Sequence, residues 1–253
     1  AYDFFIEQGG PFVRSFLDDV LRAGAGNYFD IFNFHTYPAF AINWLPPVDS
    51  NEGSGLYEKA QHLRQELTRH GLNKPIIITE AGWQSNSFPG SFGSEEVQAR
   101  YVAHLFTQSL AADLDVMIWW MLYDPGDWMG DYGLVTSHTP PHRKPSFTAY
   151  QTIVNQLTHA AFVRVLPSSE TQHKLMEAYQ FRNSVSGRTL YVAWLNPVAT
   201  NATAPLTIAA EEVRTINLYG APGATITDAA DGADDGRVRV TVSGRPVYIE
   251  VVR

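Results

Sequence analysis

Four consecutive β-branched residues, Ile76 to Thr79, opened by Pro75 and closed by Glu80, constrain this chain more than any other stretch. A run that apolar has no polar face, so it predicts a short parallel strand buried on both sides. Ala81-Gly82 then turn the chain towards Trp83. In parallel α/β folds, ligands bind beyond the carboxyl ends of strands. A carboxylate there is costly to desolvate unless something requires it. From this stretch alone, Glu80 is equally compatible with a helix cap, an ion-pair partner and a catalyst.

The residues around it supply a frame. Pro11 to Ala23 carries apolar residues at helical spacing, with Pro11 suited to the first position and Gly24 to the stop. Asp30 to Pro38 (DIFNFHTYP) alternates as a strand. Asn33, His35 and Tyr37 then share one face, and Phe32 and Phe34 the other. Ser54 to His70 reads as a helix ended by Gly71, and Ser94 to Ala112 as another. Asp115 to Tyr123 (DVMIWWMLY) reads as a third buried strand, leading into an acidic, aromatic loop. Lys144-Pro145 opens a last helix. Helices alternating with strands imply a parallel sheet with right-handed crossovers.

After about residue 160 the pattern changes. Short alternating segments, Lys174–Arg182, Thr189–Leu195, Arg214–Tyr219, Arg237–Val242 and Val247–Val252, are separated by turn signals such as Ala221-Pro222-Gly223. Evenly spaced strands without helices predict an antiparallel β-sandwich. The expected domains are therefore 1–160 and 161–253.

Composition narrows the function classes. A net charge of −8 argues against nucleic acid or an anionic membrane as the main partner. No apolar run approaches the ~20 residues of a membrane-spanning helix, and the first residues carry no signal-peptide pattern. The absence of cysteine excludes disulfides, thiolate metal sites and a cysteine nucleophile. His138 and His142 lack an obvious third ligand, so neither a metal nor another cofactor is expected. The compartment is left open.

With three strands placed, the pattern resembles the second half of a clan-A glycoside hydrolase barrel. FDIFNFHTYP looks like that clan's sixth strand, KPIIITEAGW like its seventh and DVMIWWMLYDP like its eighth. RKPSFTAYQTI is similar to the closing helix of β-xylosidase-like and endoglycanase-like members, and INLYG and RPVYIEV resemble the β-domain that often follows. The resemblance implies an α/β fold: strands 6 to 8 of a (β/α)8 TIM barrel, followed by an antiparallel β-sandwich. It implies a carbohydrate substrate, with Glu80 as the nucleophile of a retaining mechanism. The clan's acid/base, a Glu at the end of a fourth strand, has no counterpart here. Roughly 150 residues of barrel are expected to supply it, either ahead of residue 1 in the same protein, which is favoured, or from another chain.

The chemistry requires two carboxyl groups about 5 Å apart, one nucleophile and one acid then base. His35 and Tyr37, on the neighbouring strand, are expected to donate hydrogen bonds that favour the ionised nucleophile. Either Trp119 or Trp120 would offer an indole platform to a sugar ring; strand parity leaves the choice open and the resemblance favours Trp119. Trp83 and Trp128, with Phe40, Trp44 and Tyr132, lie in loops that would wall a cleft, though each also suits a loop anchor. Asp124, Asp127 and Asp131 suit sugar hydroxyls or plain solvation. A competing reading is a degenerate, non-catalytic carbohydrate-binding protein.

Overall fold

A computed structural model describes residues 15–37, 55–87, 93–126, 130–137, 139–230 and 232–253. Phe40, Trp44, Asp127, Trp128 and His138 lie outside the described residues. Helix α1 (Phe16–Arg22) precedes strand β1 (Phe32–Thr36), with Gly24 at φ 92° just beyond the helix. Helix α2 (Leu56–Arg69), β2 (Ile76–Ala81), helix α3 (Glu95–Ala111), β3 (Val116–Trp119) and helix α4 (Pro145–Leu157) follow. Strands β1, β2 and β3 pair in parallel, in that order. These three strands form an open arc, and no closed barrel exists among the described residues.

The arc has two unlike faces. Ile76 and Ile78 are fully buried on the same face, Ile76 in a cluster with Leu21 and Leu67 and Ile78 in the larger cluster that includes α3. Burying each contributes about 1.5–3 kcal/mol. Ile77 and Thr79 are only partly covered, and Asn33, His35, Val116 and Ile118 are exposed. The expectation that β2 is buried on both faces is thus corrected: the described helices cover one face only. Strand β3 is also shorter than the nine residues its apolar run suggested, because the chain leaves the sheet after Trp119.

Helix α3 is the centre of the packing. Ser94 caps it, its hydroxyl accepting from the Val97 amide at 3.1 Å. The helix is buried nearly all round, as an element surrounded by protein must be. On one side it meets the sheet and α4, and on the other a β-sandwich.

The sandwich begins at β4 (Ala160–Val165), continues through a short helix α5 (Ser168–Thr171), and then holds β5 (Met176–Asn183), β6 (Thr189–Leu195), β7 (Thr203–Ala209), β8 (Glu212–Ile216), β9 (Pro222–Thr227), β10 (Arg237–Ser243) and β11 (Val247–Val251). Six strands form one sheet in the order β4-β5-β6-β11-β8-β9, and β10 pairs with β7. Strands β4, β7 and β9 were not read from the sequence. Strand β7 contains Pro205, tolerated because among the described residues β7 pairs on one side only. Strand β9 starts at the Pro222-Gly223 that reads as a turn, and it too is an edge.

The larger sheet is covered on both faces. Tyr179, Phe181, Val192, Trp194 and Tyr248 face α3, while Ala178, Ala193, Leu195 and Ile249 face β7 and β10. His104 of α3 stacks on Trp194 at 4.1 Å, and burial pulls its imidazole down to about 3, so it is neutral. Polar contacts lock the same junction. Glu96 of α3 accepts from Tyr219 (2.5 Å), Arg245 (2.6 Å) and Arg100 (3.0 Å). Arg100, itself buried, donates to the carbonyls of Val198 (2.6 Å) and Thr200 (3.0 Å).

One group in this junction titrates where it can be measured. The Glu177 carboxyl is enclosed by Gln108 (2.7 Å), Tyr179 (2.6 Å) and Asn196 (2.7 Å). Removal from water, reinforced by the nearby Glu58 charge, outweighs these donors and pushes it up to about 7. A folded value raised above the ordinary 4.5 favours folding fully at low pH, and that advantage is lost as pH rises through about 7. Stability should therefore fall by about 2 kcal/mol between pH 5 and pH 8.5 from this group. Glu177→Gln should flatten the dependence, read from urea midpoints across that range; an unchanged slope would reject the assignment.

Candidate functional site

The ladders on both sides of β2 share one irregularity. Against β1, Asn33 pairs with Ile77 but His35 with Glu80, so three steps on β2 match two on β1. Against β3, Ile78 pairs with Met117 and Ala81 with Trp119, the same mismatch. Strand β2 thus carries one extra residue between Ile78 and Ala81, a β-bulge. Plain alternation would turn Glu80 to the buried side with Ile76 and Ile78. The bulge places Thr79 and Glu80 together on the open face.

There Glu80 meets both residues expected beside it. The Tyr37 hydroxyl donates to Glu80 Oε2 at 2.9 Å, and His35 Nδ1 lies 3.3 Å from the same oxygen. Burial and the hydrogen bond to Glu80 push the Tyr37 phenol well above its usual range, so it keeps the proton it donates. His35 Nε2 lies 2.9 Å from Thr79 Oγ1. Asn33 Oδ1 accepts from the Thr79 amide and hydroxyl, both at 3.1 Å. The Glu80 side chain retains 31% of its exposure, enough to be reached from outside.

The tryptophans separate. Trp120 is partly exposed where the chain turns out of β3. A Cβ on Gly82 would lie 2.4 Å from the Trp120 carbonyl, so only glycine lets the ends of β2 and β3 approach this closely. Trp119 is buried, and its indole N–H donates to the Tyr132 carbonyl at 3.1 Å. Trp119 as sugar platform is therefore corrected: its ring faces the core. Trp83 is corrected likewise, being buried and stacked on Tyr101 at 4.4 Å. Its role is that of a loop anchor. Tyr132 does reach the site, edge-on to the Tyr37 ring at 5.7 Å.

Support for this floor comes from groups to which the sequence assigned other roles or none. Lys144 and Asp124 form a buried ion pair at 2.5 Å. The Lys144 ammonium also donates to Ser85 Oγ (2.8 Å) and the Asp131 carbonyl (3.3 Å), and Asp124 accepts from the Gly133 amide (2.8 Å). Gln98 of α3 donates to the carbonyls of Trp83, Asp131 and Gly133, and its oxygen accepts from Ser146. The loops after β2 and β3 are thereby tied together, with Tyr132 between the tied residues. Asp124, read as a sugar ligand or a solvated acid, is neither. Lys144 looked only like the residue before a helix.

No protein-family model matches this chain, and no curated protein sequence matches it. Solved structures do resemble it. One is AbfB, a family 51 α-L-arabinofuranosidase from Bifidobacterium longum, with TM-score 0.55 and 14% identity over 95% of this chain and 56% of that one. Another is an α-L-arabinofuranosidase from Thermotoga maritima, with TM-score 0.53 and 11% identity over 90% of this chain and 53% of that one. A β-porphyranase of glycoside hydrolase family 86 from Bacteroides plebeius has TM-score 0.51 and 11% identity, covering 89% and 42%. The chain has a glycoside-hydrolase-like fold. It spans about half the length of the solved glycosidases it resembles.

The buried pair gives a direct test of the floor. Lys144→Met leaves an uncompensated carboxylate, and should cost about 3–5 kcal/mol in urea unfolding. The double variant Lys144→Met/Asp124→Leu should recover much of that loss. Equal losses in single and double variants would show that the two groups do not act as a pair.

Proposed function

We propose that this chain is part of a retaining glycoside hydrolase of the clan-A type, with Glu80 as nucleophile. The observation that carries the reading is a carboxylate on the open side of a strand end, held by Tyr37 and His35. In such a mechanism Glu80 attacks the anomeric carbon, forming a glycosyl ester while the acid/base protonates the leaving oxygen. Water then hydrolyses the ester, with the acid/base taking its proton. Tyr37 orients the carboxylate so that one oxygen stays directed outward. Trp120 is the better candidate for the sugar platform, because it is partly exposed whereas Trp119 is buried.

The acid/base is assigned to residues beyond these 253. Two features support that. Parallel sheets are covered on both faces, yet the face bearing Asn33, His35, Val116 and Ile118 is open here. Among the described residues, strands β1 and β3 each pair on one side only, and such edges invite further strands. The remaining strands of a (β/α)8 barrel would cover that face and bring a second carboxylate opposite Glu80. Carbohydrate is the proposed ligand, and the sandwich an accessory domain.

A 2-fluoro-glycosyl inactivator applied to the complete protein should form an adduct on the peptide containing Glu80, read by mass spectrometry after digestion. Glu80→Gln should lower kcat on the order of 10^4-fold. Tyr37→Phe should lower it about 10- to 100-fold, the worth of a hydrogen bond to a charged group. A complete protein that binds sugar yet yields no adduct would be the non-catalytic binder instead.

A further inference from the structure

Each ring nitrogen of His35 has a polar neighbour, Thr79 Oγ1 at Nε2 and Glu80 Oε2 at Nδ1, and counting the protons along these contacts assigns them. The atom of Asn33 facing the Thr79 amide at 3.1 Å accepts an N–H, so it is the oxygen. The Thr79 hydroxyl lies 3.1 Å from that same oxygen and has one proton to give. If that proton went to His35, two oxygen lone pairs would face each other across the Thr79–Asn33 contact. If it goes to Asn33, then Thr79 Oγ1 is left as an acceptor, and His35 Nε2 at 2.9 Å must be the donor.

We propose that Thr79 and Asn33 are positioning residues that fix the protonation pattern of His35, keeping a proton on Nε2 and turning Nδ1 to the Glu80 carboxylate. The role rests on the reading of Glu80 given above, though the proton assignment itself stands on geometry alone. Nδ1 faces Glu80 Oε2 at 3.3 Å, the oxygen that already accepts from Tyr37. Among the described residues, the groups facing the imidazole are Glu80 and Thr79 from β2; Asn33 acts through Thr79, and Tyr37 through Glu80. With Nε2 donating to Thr79, Nδ1 is the ring nitrogen presented to the Glu80 carboxylate, and the ring is held in one orientation beside it. The bulge is what makes this possible, since it puts Thr79 and Glu80 on one face, one for each ring nitrogen.

The test is long-range 1H–15N NMR of the histidine rings in the complete protein, with His35 assigned by the loss of its signals in His35→Gln. In the unaltered chain Nε2 should show the shift of a protonated ring nitrogen. Thr79→Val, which keeps the shape and removes the hydroxyl, should abolish that preference for Nε2, and Thr79→Ser should restore it. Asn33→Ala should weaken it with the helical circular dichroism unchanged. An unprotonated Nε2 in the unaltered chain, or a preference that survives Thr79→Val in a folded protein, would overturn the proposal. Failure of Glu80 labelling in the complete protein would leave these ring signals as they are, so the two readings fail separately.

Discussion

One extra residue in β2 decides what this sheet presents to solvent. Strand geometry alternates side chains strictly, and by that rule Glu80 would point among Ile76 and Ile78, where an ionised carboxylate is untenable. The bulge between Ile78 and Ala81 moves it to the other face without disturbing the buried isoleucines. The neighbours then fall into place. His35 and Tyr37 already lie on the open side of β1, and the bulge brings Glu80 within reach of both. A local irregularity in hydrogen bonding is thus the source of the constellation, and regular pairing elsewhere in β2 keeps it there.

Behind the open face, the architecture invests in fixing loops. Two connections leave the strand ends beside Glu80, and each would move freely if it depended on its own turns. A buried ammonium, a buried amide and several carbonyls tie them to one another and to α3. The arrangement uses side chains where secondary structure is absent, since backbone carbonyls of buried loops must find donors somewhere. Gly133 shows the tightness of the tie: a Cβ there would lie 2.3 Å from the Asp124 amide.

The elements that sequence made legible are those whose signal is periodic. The parallel strands around Asn33, Ile76 and Val116, the capped helix from Glu95, and the strand Thr189–Leu195 all announce themselves by spacing or composition. The face shared by Asn33 and His35 followed from parity, and the structure has it. What spacing could not convey were events that break it. The bulge has no composition of its own, so Thr79 had no visible role. The buried partners Lys144, Asp124 and Gln98 are far apart in sequence, and each alone looks like ordinary surface. Strand β9 was hidden because edge position, which excuses Pro222, is a property of the sheet. The two adjacent tryptophans differ only in which way the chain turns after β3, and that turn is tertiary.

The sandwich follows α4 after only Thr158 and His159, and its six-stranded sheet is roofed on one side by its own β7 and β10 and on the other by α3. Accessory domains that evolution trades between enzymes usually hang on a tether and bring their own finished surface. This one has no finished surface on its inner side. Cut away, it would uncover Trp194, Tyr179 and Phe181 together, and it would strip the flank of α3 that carries Glu96 and Arg100. Recombination at that junction would have to exchange both halves of the contact at once. The two parts are therefore expected to travel through evolution as a single heritable unit, even though their strands follow different rules.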